Sequence, residues 1–543
     1  MAYSIKTGSV SGTGLETTTR FWKNHSSVSM DDMRLKGSGI PLDVRNGNVA
    51  FSEPETHCMV CGVSGKGKTR RELYPTVILS ARAGRSMVIA DMKGEIFRHT
   101  ATEVSCCGHD IKVINLRTPS KGDRFNPFSL VQSYWDSGDR SRATILLKDI
   151  CSLVTAKVHS ERDKFWEIAA MDAIMGFALL LLDCRAPLTF DNIHCLFNQY
   201  FADKDSRSEF NKAFNKVDAE AVRRLATVAN LESDTTLSCI VSEVNSSLSC
   251  YIDQPDIRDL LSGSDFELTN IGRKPTAVYI ICPDESTSLY GIASLFVEQC
   301  YSELIRYADE REDNMLPVKV DFLLDEFGAF VGSDWPSKLT AARSRGIRFI
   351  LAIQSMSQLV ARYGENGSRT IMSNCRTLVY MGGRDIRLMS EISALSGYRE
   401  DPRTGLEKAV LSLNDLMNLK TGEIVVLDDS ELPYIGHVPD WSEWNIRDKA
   451  RLVDKKRRFN PENPVDLKKL LGIQDDAGRK QEEQEYDSGN PDPPDSEEPM
   501  DEETDRLLRA LADEALRDPD STRETEVFLN RIRNVDDDDD LPF

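Results

Sequence analysis

Short β-rich runs, most of them continuously apolar, recur along the chain: HCMVC at 57–61, SMVIA at 86–90, IKVINL at 111–116, AVYIIC at 277–282, VDFLL at 320–324, RFILAI at 348–353, TLVYM at 377–381 and EIVVL at 423–427. A run without polar alternation is what a strand covered on both faces requires. Helical patterns separate several of these runs, so the pattern predicts an α/β fold with a mainly parallel sheet. Between Ser133 and about Leu268 the strand pattern stops, and TILLKDICSLV, FWEIAAMDAIMGFALLLL and AVRRLATVANL carry apolar residues at helical spacing. That stretch predicts an all-helical insertion. The expected organisation is an N-terminal extension 1–44, an α/β domain in two parts at 45–132 and 269–445 interrupted by the all-α domain 133–268, a connector 446–474 and a disordered tail 475–543.

Length agrees with several folded units, because domains commonly run to about 100–200 residues and the chain has 543. Hydrophobic residues make up 40% and charged residues 29%, a globular composition. The charge is uneven. From Asp475 to Phe543 there are 25 Asp or Glu against 8 Lys or Arg, which is −17 of the total −21 and leaves the first 474 residues near −4. Pro, Asp, Glu, Ser and Gly dominate this tail, the composition of a segment that cannot bury a core. Within it, 501–518 (DEETDRLLRALADEALRD) is amphipathic and reads as a short helix able to dock on a partner.

Met1–Gly12 is polar without an apolar h-region, which argues against a secretory signal and for a cytoplasmic chain. The longest apolar stretch, Ile168–Leu182, contains Asp172 and is shorter than the roughly 20 residues of a membrane helix, so it reads as a buried core helix. The 12 cysteines are scattered without a repeated spacing, as reduced thiols are. Cys58 and Cys61 form a CxxC beside His57, but a zinc site needs more ligands than one such pair, and the apolar strand around them favours a structural reading.

The candidate chemistry begins where that strand ends. Gly62-Val-Ser-Gly-Lys-Gly-Lys-Thr69 satisfies GxxxxGKT between an apolar strand and a helical segment, the context that gives the motif meaning. Backbone N–H groups of Gly62, Ser64, Gly65, Lys66 and Gly67 would converge on nucleotide phosphates. Lys68 would reach the β- and γ-phosphates of ATP, and the Thr69 hydroxyl would bind Mg²⁺. The second acidic element such a loop needs is Val320-Asp-Phe-Leu-Leu-Asp-Glu326. Asp325 would hold the Mg²⁺ shell, and Glu326 would act as general base toward the attacking water.

LLDEFGAF, then ARSRGIRFILAIQSMSQLVARYG, then IMSNCRTLVYMGGRDIRLMSEISALSG resemble the conjugative coupling proteins of the TraG and TraD type, within the FtsK and HerA class. ADMKGEI at 90–96 is similar to that family's DPKGE box, FNPF at 125–128 to its WNP box, and the helical insertion falls where the family carries its all-α domain. The resemblance covers roughly residues 45–440. It implies a RecA-like P-loop NTPase that works as a homo-hexamer. It also implies that Gln354 senses the γ-phosphate and that Arg343 is the finger offered to a neighbouring copy's nucleotide, with Arg345 and Arg348 close enough in sequence to leave that choice open. The second box reads ADMKGE without the proline, yet keeps Asp91, Lys93, Gly94 and Glu95.

What the resemblance implies about function is ATP-dependent coupling of single-stranded DNA, with its relaxase, to type IV secretion channel proteins. Family members typically begin with membrane helices. None is read here, so a separate membrane anchor protein, or recruitment to the inner face of the cell membrane by docking, is expected. Two other functions use the same motifs: an ATP-gated substrate receptor that leaves pumping to other ATPases, and a double-stranded DNA translocase, against which the all-α insertion argues. A nearly neutral body means that any DNA contact is local, a few Lys and Arg repeated around a ring. Finally, the tip Asp536-Asp-Asp-Asp-Asp-Leu-Pro-Phe543 resembles the acidic tip of single-stranded-DNA-binding proteins, which implies docking on proteins that recognise such tails through a terminal ring and carboxylate.

Overall fold

The computed structural model describes residues 14–473 apart from short stretches, of which 157–163, 214–218 and 453–464 are the longest. The acidic tail, its helical segment 501–518 and the tip 536–543 lie outside the described residues.

A small antiparallel sheet comes first: β1 (Ser26–Ser29), β2 (Pro41–Arg45) and β3 (Asn48–Phe51), in the order β1-β3-β2. Among the described residues the main sheet has nine strands. They are β4 (Cys58–Cys61), β5 (Ser86–Asp91), β6 (Asp110–Asn115), β7 (Thr276–Ile281), β8 (Val320–Leu324), β9 (Ile347–Ile353), β10 (Thr377–Tyr380), β13 (Glu423–Asp428) and β14 (Tyr434–His437), with a separate hairpin of β11 (Tyr398–Glu400) and β12 (Glu407–Ala409) intervening. The order across the sheet is β14-β13-β10-β4-β9-β8-β5-β7-β6. β10 through β6 run parallel, and β13 and β14 are antiparallel additions at one edge.

Period-two geometry explains why the apolar runs are unbroken. Met59 and Cys61, Val88 and Ala90, and Phe322 and Leu324 face one apolar cluster. Cys58 and Val60, Met87 and Ile89, and Leu323 face the other. Most strand positions therefore need apolar residues, and two buried exceptions, Asp321 in β8 and Arg348 in β9, are paired with each other. Cys58 and Cys61 are buried in β4, and burial raises both thiols above their ordinary range. Neighbouring His57 bridges elements: one ring nitrogen lies 2.7 Å from the Leu339 carbonyl and the other accepts from the Phe349 N–H at 2.9 Å.

Between β6 and β7 the described chain is helical. Its longest helix, Lys164–Asp183, is apolar and long enough to cross a membrane, yet Ala173–Ile174 and Phe177–Leu182 are buried in the same cluster as one face of the sheet. FNPF sits where the helices leave and return. Asn126 Nδ2 donates to the Leu188 carbonyl at 2.9 Å, and its backbone N–H donates to Ser264 Oγ at 3.1 Å.

Two features were invisible in the hydrophobic pattern. Residues 14–44 do not stand apart from the body: Phe21, Ile40 and Leu42 are buried, and Asp43 accepts from Trp22 Nε1 at 2.8 Å and from the Tyr434 hydroxyl at 2.7 Å. At the other end of the body, the short helix Leu467–Leu471 returns to the helical insertion. Gln199 there makes a two-way backbone clasp, donating to the Val465 carbonyl at 2.9 Å and accepting from the Leu467 N–H at 2.7 Å.

Candidate nucleotide site

Strands β4, β9 and β8 are neighbours, and their C-terminal ends carry the P-loop, Gln354 and the Asp325–Glu326 pair. The loop leaves β4 at Gly62, whose N–H donates to the Ile353 carbonyl at 3.1 Å, and Val63 N–H donates to the Gly382 carbonyl at 3.3 Å. Gly65 and Gly67 have φ of +82° and +92°, a region that disfavours any side chain, and this turns successive N–H groups to one side. Ser64 and Gly65 are exposed at the loop's crown, and Lys66 is half-buried. Lys68 is buried and donates to the Gly62 carbonyl at 2.6 Å, which closes the loop on itself.

The following helix starts with a wide turn, in which the Tyr74 N–H reaches back to the Thr69 carbonyl. Thr69 Oγ1 lies 3.5 Å from Asp325 Oδ2. Burial first, and the neighbouring Glu326 charge second, push the Asp325 carboxyl up to about 7. A buried carboxylate short of positive charge beside a hydroxyl is a hard, all-oxygen donor pair, which suits Mg²⁺ better than a softer metal. The residues present therefore fit a Mg²⁺–nucleotide.

Glu326 has φ +55° and ψ +46°, a left-handed conformation that costs a non-glycine residue roughly 1–2 kcal/mol. The twist turns its carboxylate toward β9, where Gln354 Nε2 donates to Glu326 Oε1. Asp91, from the ADMKGE box, ends β5. It accepts from the Phe97 N–H at 2.8 Å and the Lys93 N–H at 3.4 Å, so it shapes the loop and caps the next helix, while burial lifts its carboxyl to about 6.

The three arginines separate clearly. Arg348 is fully buried and, with Arg85 (Nε to Asp321 Oδ1, 2.8 Å), neutralises Asp321. Burial opposes that ionisation, but the two guanidiniums outweigh it and hold the carboxyl low. Arg345 pairs with Asp309 at 3.0 Å. Arg343 is exposed, and its guanidinium has no ion-pair partner among the described residues. It precedes the N-terminal end of β9, seven residues long, whereas the P-loop meets the C-terminal end. Roughly 20 Å separates them, so Arg343 is beyond reach of its own P-loop.

Three contacts were not read from sequence. Arg70 pairs with Asp440 (Nε to Oδ2, 2.9 Å), Arg71 donates to the Val438 carbonyl at 2.8 Å, and Gly382–Gly383 back the loop. The GG pair was the available signal for the last; nothing local marks Asp440.

A sequence profile described as "Type IV secretory system Conjugative DNA transfer" matches residues 8–399, more than half of the chain. The chain belongs to that family. It is 24% identical over 365 residues to "Protein VirD4" of Rhizobium rhizogenes, covering 65% of this chain and 50% of that protein. It is 23% identical over 192 residues to "Type IV secretion system-coupling protein VirD4" of Bartonella quintana, covering 35% of this chain and 29% of that protein. The chain thus spans about half the length of the first of these relatives, or less. Among solved structures, the plasmid coupling protein TrwB in complex with the ATP analogue ADPNP superposes with a TM-score of 0.56 at 15% identity, covering 80% of this chain and 96% of that one. TrwB with ADP and Mg²⁺ gives 0.55 at 15%, covering 79% and 96%. At that identity the likeness establishes the fold, the RecA-type α/β fold of the family.

Proposed function

We propose that this chain hydrolyses ATP and uses the turnover to drive relaxase-bound single-stranded DNA toward a type IV secretion channel. The observation that carries the reading is the convergence of Lys68, Thr69, Asp325, Glu326 and Gln354 at the ends of three adjacent strands. In this reading the P-loop N–H groups and Lys68 cradle the phosphates. Thr69 and Asp325 would hold Mg²⁺, which would supply positive charge against the phosphates. Glu326 accepts the proton of the attacking water, and Gln354 fixes its carboxylate and reports the γ-phosphate. Arg343 of a neighbouring copy completes the site within a homo-hexamer. The structures of TrwB with ADPNP and with ADP and Mg²⁺ support ATP and Mg²⁺ here; channel proteins and a separate membrane anchor are the further partners this reading calls for.

The test is ATP turnover by the purified full chain with and without single-stranded DNA. Glu326→Gln is expected to bind ATP normally and lose about 10²–10⁴-fold in turnover, and Lys68→Ala to lose binding. Near-normal turnover by Glu326→Gln would overturn the general-base assignment. Turnover indifferent to DNA would favour the ATP-gated receptor over the motor.

A further inference from the structure

Glu326 holds a left-handed backbone that a non-glycine residue keeps only where its surroundings fix it. The turn that follows supplies part of the restraint: the Ala329 N–H donates to the Glu326 carbonyl at 2.8 Å, and the Phe330 N–H to the Phe327 carbonyl at 3.1 Å. The rest comes from Phe327, which is fully buried between two rings from different elements. Tyr363 stacks on it with ring centroids 5.3 Å apart and planes at 20°, and Trp335 meets it edge-on at 4.8 Å and 89°. Trp335 starts the helix Trp335–Ala342, which leads into Arg343.

Tyr363 belongs to the helix Met356–Asn374, which begins two residues after Gln354. This segment touches the acidic loop at three points. Gln354 donates to the Glu326 carboxylate, and Gln358 Cβ lies 3.1 Å from where a side chain on Gly328 would begin. The Tyr363 hydroxyl donates to the Phe330 carbonyl at 3.0 Å, with the Phe327 carbonyl 3.5 Å away. Gly364 then leaves helical geometry at φ +70°, so Tyr363 closes the part of the helix that faces the loop. Burial raises the phenol above its ordinary range, which keeps it a hydrogen-bond donor. A phenylalanine would fill the same space. The hydroxyl adds a link to the carbonyls of the turn after Glu326, and that turn sets where the Glu326 carboxylate points.

We infer that Tyr363 is a positioning residue for ATP hydrolysis: through the Phe327 ring and the carbonyls of the turn, it holds the Glu326 carboxylate against Gln354, aimed at the attacking water. The inference rests on the proposed general-base reading and adds the residue that keeps the base in place. Misplacing a reacting group by about 1 Å costs on the order of 10²-fold in rate. Tyr363 touches none of the phosphate-binding residues, so its loss acts on the rate of hydrolysis and not on ATP affinity.

The test is single-turnover ATP hydrolysis by the purified full chain with Mg²⁺ and single-stranded DNA, beside ATP affinity from equilibrium binding. Tyr363→Leu is expected to lose about 10–100-fold in rate. Tyr363→Phe, which keeps the ring and loses the hydroxyl, is expected to lose about two- to tenfold. Both are expected to bind ATP within about twofold of wild type. In a Glu326→Gln background, either substitution is expected to change the residual rate by less than about twofold, because Tyr363 acts through the carboxylate. Phe296→Leu, which thins the same apolar cluster where the ring packs against Phe125 and Phe266, is expected to keep the wild-type rate. Where Tyr363→Leu does not fold, Tyr363→Phe decides alone. Tyr363→Phe at the wild-type rate, equal losses with and without the Glu326 carboxylate, or a loss of ATP affinity matching the loss of rate would each overturn the inference. A wild-type chain that does not hydrolyse ATP would overturn the functional reading and the inference with it, whereas an active wild type with indifferent Tyr363 variants overturns the inference alone.

Discussion

Arg343 and Arg348 lie on either side of Gly346, which takes φ +81° and turns the chain into β9. Beyond that turn, Arg348 enters the sheet and becomes half of a buried charge network with Asp321, Arg85, Ser38 and Ser80. Before it, Arg343 stays in solvent. Arg348→Ala leaves Asp321 buried with one guanidinium, and it is expected to cost about 3 kcal/mol or more in urea unfolding. Arg343→Ala is expected to unfold within about 0.5 kcal/mol of wild type while losing about 10³-fold in ATP turnover at unchanged ATP affinity. Sequence favours Arg343 but leaves Arg348 open beside it, because the difference is which end of a strand each occupies and what lies inside. The P-loop, Asp325, Glu326 and Gln354 were legible for the opposite reason: each directly follows an apolar strand, and strand ends in a parallel sheet share one edge.

His57 gives a pH prediction at the same scale. Burial first, and the nearby Arg348 and Arg343 charges, hold it down to about 4, against an ordinary value of 6.5, while its bond to Leu339 works the other way. The folded state keeps the ring neutral and the unfolded state protonates it sooner. Stability from this group is present above about pH 6.5, is lost as pH falls toward 4, and amounts to roughly 3 kcal/mol at most. His57→Gln is expected to flatten the pH dependence of urea unfolding between pH 7 and 4. An unchanged slope would mean another group carries it.

At the scale of elements, the eight runs read from the sequence are the eight strands β4 to β10 and β13, because strands covered on both faces carry their signal in most residues rather than in alternate ones. The strands that escaped are short or mixed. β1 and β14 have four residues each, and their burial patterns include exposed positions that weaken the apolar run. Their partners are remote in sequence: Asp43 meets Tyr434 and the His437 N–H, a pairing no local pattern encodes. The helix Leu467–Leu471 is similar, since five residues make no periodic signal, yet Leu467 is fully buried against the insertion. Leu467→Ala is expected to cost about 2–3 kcal/mol and to speed amide exchange in the helix Phe190–Tyr200, where Gln199 holds the segment. Unchanged exchange there would show that the clasp adds nothing to the insertion's stability.

At the scale of the whole molecule, the proposed site draws on two ends of one sheet. P-loop, acid pair and glutamine sit at one edge, and the free arginine sits a strand's length away. In the proposed reading a single copy supplies the binding residues and, elsewhere, a group suited to a neighbour's transition state. The most direct measurement mixes Lys68→Ala chains, which keep Arg343 and lose the P-loop lysine, with Arg343→Ala chains, which keep the P-loop, and reads ATP turnover against mixing ratio. Each variant alone is expected to be nearly inactive, and mixtures are expected to recover turnover, peaking at intermediate ratios where an intact arginine faces an intact P-loop. Turnover that stays at the level of the separate variants at every ratio, with mixed assemblies present, would contradict a site shared between copies.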